Sequence, residues 1–105
     1  MKIKRVYLTE KIVEEGEILI KVGPFSCDKG VLPGQFFEVR WSKGYEPLIP
    51  RPFSLFYQDG DKLVFYVKSV GRFTRSLADA NLFKEMLVFG PLGKPFPQKE
   101  AYLVG

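Results

Sequence analysis

The chain has 105 residues, a formal net charge of +4 and an apolar fraction of 46%. This length and composition are typical of one folded domain with its own hydrophobic core, and they exclude a disordered chain. A single cysteine and the absence of histidine exclude a disulfide framework, a cysteine zinc site or iron–sulfur cluster within the chain, and catalysis built on imidazole.

Lysine and arginine are scattered among glutamate and aspartate, whereas nucleic-acid binders usually concentrate positive charge in runs. No apolar run approaches the roughly 20 residues needed to span a bilayer. The first residues lead directly into a strand pattern rather than into a signal peptide. We therefore expect a cytoplasmic protein that binds neither a membrane nor nucleic acid.

The first half of the chain consists of short strand patterns. Residues 5–13 and 18–22 are expected to pair as antiparallel strands around a turn at residues 14–17. Residues 25–31 are expected to form a polar loop that carries Cys27 and Asp28. A turn at residues 32–35 precedes a strand over 36–41, in which Phe37, Val39 and Trp41 share one face.

The second half continues with a hairpin and one helix. A strand over residues 51–57 is expected to pair with one over 63–70 through a type I′ turn centred on Asp59 and Gly60. Residues 71–80 predict a short helix with Thr74 as its N-cap. Residues 86–89 form a last core strand, followed by a loop over residues 90–97. These elements predict an all-β fold, a small antiparallel barrel with one short helix.

Two segments carry groups suited to an anion. Arg51 stands at the start of a strand, and its guanidinium can bind a phosphate through two parallel hydrogen bonds. Gly71 to Thr74 open the helix, where free amides and the helix dipole favour negative charge. A diphosphate between the two would leave Ser54 to face a planar ring beside it. Phe53, Phe56 and Tyr66 are candidates to pack on that ring.

Each of these features also has a purely structural interpretation. Arg51 can be a solvated surface charge, and Gly71 with Thr74 can be only a turn with a helix cap. Phe53, Phe56 and Tyr66 can belong to the core, and Ser54 can simply face water. The functional interpretation therefore rests on the order and spacing of the motifs.

Five motifs, in order along the chain, resemble those of the flavin domain of the ferredoxin reductase superfamily, above all the electron-transfer subunits of dihydroorotate dehydrogenase. They are Gly34-Gln35-Phe36, Arg51-Pro52-Phe53-Ser54, Tyr66-Val67-Lys68, Gly71 with Thr74, and Gly90-Pro91-Leu92-Gly93. The resemblance implies a six-stranded antiparallel Greek-key barrel that binds FAD.

The resemblance also implies roles for particular residues. Arg51, in a motif with Pro52 and Phe53, would contact the FAD diphosphate, and Ser54 would approach the N5 edge of the flavin. Tyr66, Val67 and Lys68 would line the isoalloxazine or adenosine side. The backbone at Phe73 and Thr74, after Gly71, would hold phosphate.

The chain departs from the family pattern at Phe73, where members of the family commonly have glycine. Phe73 must adopt a backbone conformation similar to that of the glycine or shift the loop, unless its ring stacks on the cofactor.

A second departure from the family pattern concerns the domain organisation. Residues 1–100 correspond to the FAD-binding barrel, and residues 101–105 resemble the start of a nicotinamide-binding domain. The nicotinamide and [2Fe-2S] segments would then be absent or on separate polypeptide.

The function that the resemblance implies is that of an FAD-binding electron-transfer module in pyrimidine biosynthesis. Its partner would be the catalytic subunit of dihydroorotate dehydrogenase or another flavoprotein, and the module would not be competent alone. Two alternatives remain open from the residues. One is a protein-interaction module without cofactor. The other is an OB-like binder of single-stranded nucleic acid that uses Phe36, Trp41, Phe56 and Tyr66.

Overall fold

A computed structural model of the chain describes residues 2–26, 30–32, 34–44, 50–68 and 71–93. Within these residues the chain forms six strands and one helix. The strands are β1 (Lys2–Glu14), β2 (Glu17–Gly23), β3 (Phe36–Trp41), β4 (Arg51–Asp59), β5 (Lys62–Lys68) and β6 (Glu85–Leu92), and the helix α1 (Arg72–Asp79) lies between β5 and β6. The predicted all-β class with one short helix is confirmed.

The strands close into a barrel in the order β1-β2-β5-β4-β3-β6, and every neighbouring pair is antiparallel. The strands β3, β4 and β5 are consecutive neighbours, and β6 returns to lie beside β3. This is the Greek-key arrangement of four strands. Closure leaves no open sheet edge, so the barrel confirms the predicted architecture.

The core follows the two-residue period of the strands. Along β3, Phe37, Val39 and Trp41 are buried, as the alternation predicts, while the residues between them are half-buried. Phe37 is in edge contact with Phe25 and with Phe65, with ring centroids 5.4 and 5.8 Å apart. These aromatic contacts join β3 and β5 inside the barrel.

Phe25 corrects the predicted polar loop at residues 25–31. Its side chain is fully buried, and its amide donates a hydrogen bond to the Asp61 carbonyl at 2.6 Å. The reason is the β2–β5 pairing, which brings the end of β2 beside the β4–β5 turn. Cys27 and Asp28, the other residues named for this loop, lie outside the described residues.

The β4–β5 hairpin is confirmed, but its predicted turn type is wrong. Asp59 and Lys62 are paired, so the loop residues are Gly60 and Asp61. Gly60 has φ +62°, and Asp61 does not have a positive φ. A type I′ turn requires positive φ at both central positions, whereas glycine at the first position alone is the pattern of a type II′ turn.

The helix begins earlier than predicted, and the last strand extends further. Gly71 is the N-cap of α1, so Thr74 lies at the third helical position and its prediction as the N-cap is wrong. β6 continues through residues 90–92, which were predicted as loop. Residues 94–97 and 101–105 lie outside the described residues. In the described part of the chain, no helix is long and apolar enough to cross a membrane.

Candidate functional site

The start of β4 and the start of α1 line one cavity of about 220 Å³. Its walls come from Arg51 and Phe53 on the strand and from Gly71, Arg72, Phe73 and Thr74 at the helix start. The two segments that the sequence singled out for an anion therefore meet, although about twenty residues separate them in the chain.

The first turn of α1 presents backbone donors to this cavity. The Thr74 hydroxyl accepts a hydrogen bond from the Gly71 amide at 3.0 Å and donates one to the Gly71 carbonyl at 3.1 Å. The first backbone bond of the helix runs from the Arg75 amide to the Gly71 carbonyl at 3.0 Å. The amides of Phe73 and Thr74 precede it, so no helical carbonyl is available to them.

Among the described residues that line the cavity, both charged ones are arginines. Arg51 is exposed, and its side chain makes no hydrogen bond or ion pair with other residues in the described ranges. Arg72 lines the same cavity, and the first turn of α1 contains no acidic residue. A guanidinium facing free amides at the positive end of a helix is a donor set that fits a phosphate or diphosphate.

The two phenylalanine rings beside the cavity belong to the core. Phe53 is 5% exposed and Phe73 is 3% exposed, and their ring centroids are 5.8 Å apart. Phe73 also packs against Trp41 at 5.7 Å. The idea that the Phe73 ring stacks on a cofactor is therefore wrong, and Phe53 is not available to lie flat on a bound ring either. Both rings are buried in the barrel and are not accessible to a ligand.

Ser54 lies in a different depression from Arg51. Together with Pro52 it lines an open groove of about 720 Å³ on β4, whereas Arg51 and Phe53 line the smaller cavity. This division follows from the alternation of side chains along a strand. The remaining walls of the groove come from residues 31, 32, 34–36 and 55–58.

Tyr66, Val67 and Lys68 line neither of these two cavities. Tyr66 is 44% exposed, and its ring lies 5.9 Å from that of the exposed Phe56. Its hydroxyl donates a hydrogen bond to the Glu17 carboxylate, which raises the Tyr66 pKa. Val67 is half-buried and Lys68 is exposed at the end of β5. Phe56 and Tyr66 are thus accessible for packing, unlike Phe53.

No family model matches the chain, but curated proteins and solved structures are similar to it. The electron transfer subunit of dihydroorotate dehydrogenase B (NAD(+)) from Clostridium acetobutylicum is 35% identical over 101 residues, 91% of this chain and 39% of that subunit. The same subunit from Bacillus mycoides is 38% identical over 71 residues, 66% of this chain and 27% of the subunit.

A solved ferredoxin reductase in carbazole 1,9a-dioxygenase has a similar fold. It superposes with a TM-score of 0.70 at 22% identity, over 88% of this chain and 29% of that protein. The chain therefore has a ferredoxin reductase-like barrel fold. It spans less than two fifths of the length of the subunits that it matches.

Two contributors to the site of this ferredoxin reductase-like barrel were missed from the sequence. Arg72 directly follows Gly71 in the sequence and lines the cavity. Its positive charge at the start of the predicted helix was the signal that could have identified it. Trp41 donates its indole N–H to the Ser76 hydroxyl at 2.8 Å, which ties β3 to α1. No local pattern predicts that contact, since 35 residues separate the two positions.

Proposed function

We propose that this barrel is an FAD-binding electron-transfer module. The observation that carries the proposal is the shared cavity, in which Arg51 faces the free amides at the start of α1. Its support comes from relatives that are electron transfer subunits and from the ferredoxin reductase-like fold. FAD, when bound, would supply the hydride and electron chemistry, and the chain would supply binding and orientation.

Each part of the site would have a separate task. Arg51 and the amides of Phe73 and Thr74 would hold the diphosphate through charge-assisted hydrogen bonds. Gly71, with no side chain, would let the backbone approach it closely. Pro52 and Phe53 would hold the strand that carries Arg51, the first by its rigid ring and the second by its burial in the core.

The flavin side of the site would be formed by β4 and β5. Ser54 would place a hydroxyl near the N5 edge of the flavin ring, where a hydrogen bond tunes the redox properties of the cofactor. Tyr66, Val67 and Lys68 at the end of β5 would line the isoalloxazine or adenosine side. All of these residues lie in the barrel, and we propose residues 1–100 as the FAD-binding domain.

The relatives' name indicates a class of partner. We propose that the module passes electrons to or from the catalytic subunit of a dihydroorotate dehydrogenase or another flavoprotein, within pyrimidine biosynthesis. The nicotinamide-binding and iron–sulfur groups would be supplied by polypeptide beyond this barrel. Because these groups would supply the redox chemistry, the chain would need no acid or base catalyst of its own, and it contains no histidine.

The proposal is tested by measuring ligand binding to the purified chain. FAD, ADP and riboflavin are titrated separately by calorimetry, because ADP carries the diphosphate without the flavin and riboflavin carries the flavin without phosphate. We expect FAD to bind, and ADP to compete with it for the cavity of Arg51. A chain that binds none of the three would be a protein-interaction module without cofactor, and the proposal would fail.

A further inference from the structure

A chain of two hydrogen bonds leads from the barrel wall to the anion cavity. The Trp41 indole N–H donates to the Ser76 hydroxyl at 2.8 Å, and that hydroxyl donates to the Phe73 carbonyl at 2.6 Å. Trp41 is 3% exposed at the end of β3, and Ser76 is half-buried in α1. The pair of bonds therefore starts on a rigid strand and ends on the first turn of the helix.

The last acceptor of this chain belongs to the peptide group that faces the cavity. The Phe73 carbonyl and the Thr74 amide are two ends of one planar peptide unit. In a helix the carbonyl points toward the C-terminus and the amide toward the N-terminus, so the Thr74 N–H points to the open end of α1. In addition to the helix backbone, the hydrogen bond from Ser76 to the carbonyl restrains the plane of this unit and polarises its N–H, which makes the amide a stronger donor.

Packing holds the same residues in place. The Phe73 ring is in edge contact with the Trp41 ring at 5.7 Å, and the Lys84 ammonium lies 4.3 Å from the centre of the Trp41 ring. Trp41 is thus held by the Phe73 ring and the Lys84 ammonium as well as by Ser76, and its N–H has little freedom to turn away. A donor that is held before the ligand arrives costs less ordering free energy on binding.

We propose that Trp41 and Ser76 are positioning residues for the anion site: they orient and polarise the Thr74 amide that binds phosphate. This inference rests on the proposed function, because it requires a phosphate-bearing ligand in the cavity. It goes beyond that function by assigning a role to two residues that do not line the cavity. Neither residue touches the ligand, so they act through the peptide group alone.

The test compares ADP affinities of substituted chains by calorimetry. Ser76→Ala removes both hydrogen bonds and should weaken ADP binding about three- to ten-fold, the size of one lost neutral hydrogen bond or slightly more. Trp41→Phe keeps a ring but removes the donor, and a smaller loss is expected. Ser76→Thr retains the hydroxyl and should restore the affinity of the unaltered chain.

A matched control separates positioning from general stability. The Thr9 hydroxyl on β1 donates to the Lys21 carbonyl at 3.0 Å, and it is also part-buried. Neither Thr9 nor Lys21 lines the anion cavity, so Thr9→Val should lower the free energy of unfolding while leaving ADP affinity unchanged. Equal losses of affinity in Thr9→Val and Ser76→Ala would mean that stability alone is responsible, and the inference would be overturned.

A spectroscopic readout is available because Trp41 is the single tryptophan of the chain. ADP should change Trp41 fluorescence in the unaltered chain, and the change should be reduced in Ser76→Ala, since the link to the Phe73 carbonyl is lost. If the unaltered chain binds neither ADP nor FAD, both this inference and the proposed function fail. If it binds ADP and Ser76→Ala binds equally well with the same fluorescence change, only this inference fails.

Discussion

Phe53 on β4 packs against Phe73 on α1, with ring centroids 5.8 Å apart and both rings buried. The contact connects the strand that begins at Arg51 to the first turn of the helix. As both rings are held by the barrel core, the separation of Arg51 from the helix amides is determined by packing rather than by a surface loop. Close packing makes such a site rigid before a ligand binds.

Removing the guanidinium should weaken binding of the diphosphate. Arg51→Ala is expected to reduce FAD and ADP affinity by about 1.5–3 kcal/mol, because a charge-assisted hydrogen bond is lost. Riboflavin affinity should not change, since riboflavin has no phosphate. The measurement is a calorimetric titration of each ligand.

The control for this substitution is Arg5→Ala, which removes the same charge from β1. Arg5 forms an ion pair with Glu85 at 3.1 Å, but its side chain is 67% exposed, so the pair contributes little stability. Arg5→Ala should leave FAD affinity unaltered. Equal losses in the two variants would show that only net charge matters, and the assignment of Arg51 to the diphosphate would then be wrong.

Gly71→Ala should impair binding without damaging the fold. Gly71 has φ −131° and ψ 176°, an extended conformation open to any residue, and a Cβ placed there meets no atom within 4 Å. Alanine at the N-cap should cost about 1 kcal/mol of stability or less. A methyl group between the backbone and a phosphate should lower FAD affinity about ten-fold, as one misfitted contact of 1.4 kcal/mol does. Unchanged affinity would mean that no ligand approaches Gly71.

Gly90→Ala should have the opposite effect, a loss of stability without a loss of FAD affinity. A Cβ at Gly90 would lie 2.7 Å from Phe37 Cδ2 and 3.1 Å from the Phe36 carbonyl oxygen, at φ +151°. The overpacking should cost about 1–3 kcal/mol in the free energy of unfolding. Since Gly90 lies outside the anion cavity, the folded fraction should retain normal FAD affinity. Denaturant unfolding and calorimetry on both glycine variants distinguish a fold effect from a ligand effect.

Ser54→Ala should change the redox properties of bound FAD more than its affinity. Ser54 lines the open groove on β4 and not the cavity of Arg51, so the diphosphate contacts remain. Loss of one neutral hydrogen bond near N5, about 0.5–1.5 kcal/mol, corresponds to a shift of roughly 10–30 mV in a two-electron potential. Ser54→Thr, which keeps the hydroxyl, is the control. An unaltered potential in Ser54→Ala would count against the N5 assignment.

The fold could be predicted from the sequence wherever local patterns decide it. The alternation of residues 36–41 and the run at residues 18–22 identified two strands that the barrel confirms. Local patterns could not predict burial that depends on pairing between strands distant in the sequence. Phe25 was assigned to a polar loop because its neighbours are polar, yet the β2–β5 pairing brings it into the core.

The site was predictable in its parts and less so in their arrangement. Arg51 and the helix start were recognised from phosphate chemistry, and they line one cavity. The orientation of the rings was not recognisable, since burial of Phe53 and Phe73 depends on the closed barrel. Ser54 was placed with Arg51 because they share a strand, but a separation of three residues puts them in different depressions.

Tyr66 should contribute a distinct alkaline loss of stability. Its pKa is raised above the ordinary 10.0, first because its hydroxyl donates to Glu17, then because of burial and the charges of Glu17 and Glu14. Folding therefore favours the neutral phenol. This stabilisation is fully present below pH 10.0 and is lost as the pH rises through the raised pKa.

The raised pKa of Lys21 acts in the same direction and range, so the unfolding free energy of a Tyr66 variant must be compared with that of the unaltered chain at each pH. Tyr66→Phe should lose less unfolding free energy than the unaltered chain as the pH rises above 10.0 in denaturant titrations. Identical curves for Tyr66→Phe and the unaltered chain would show that the bond to Glu17 contributes nothing to folding.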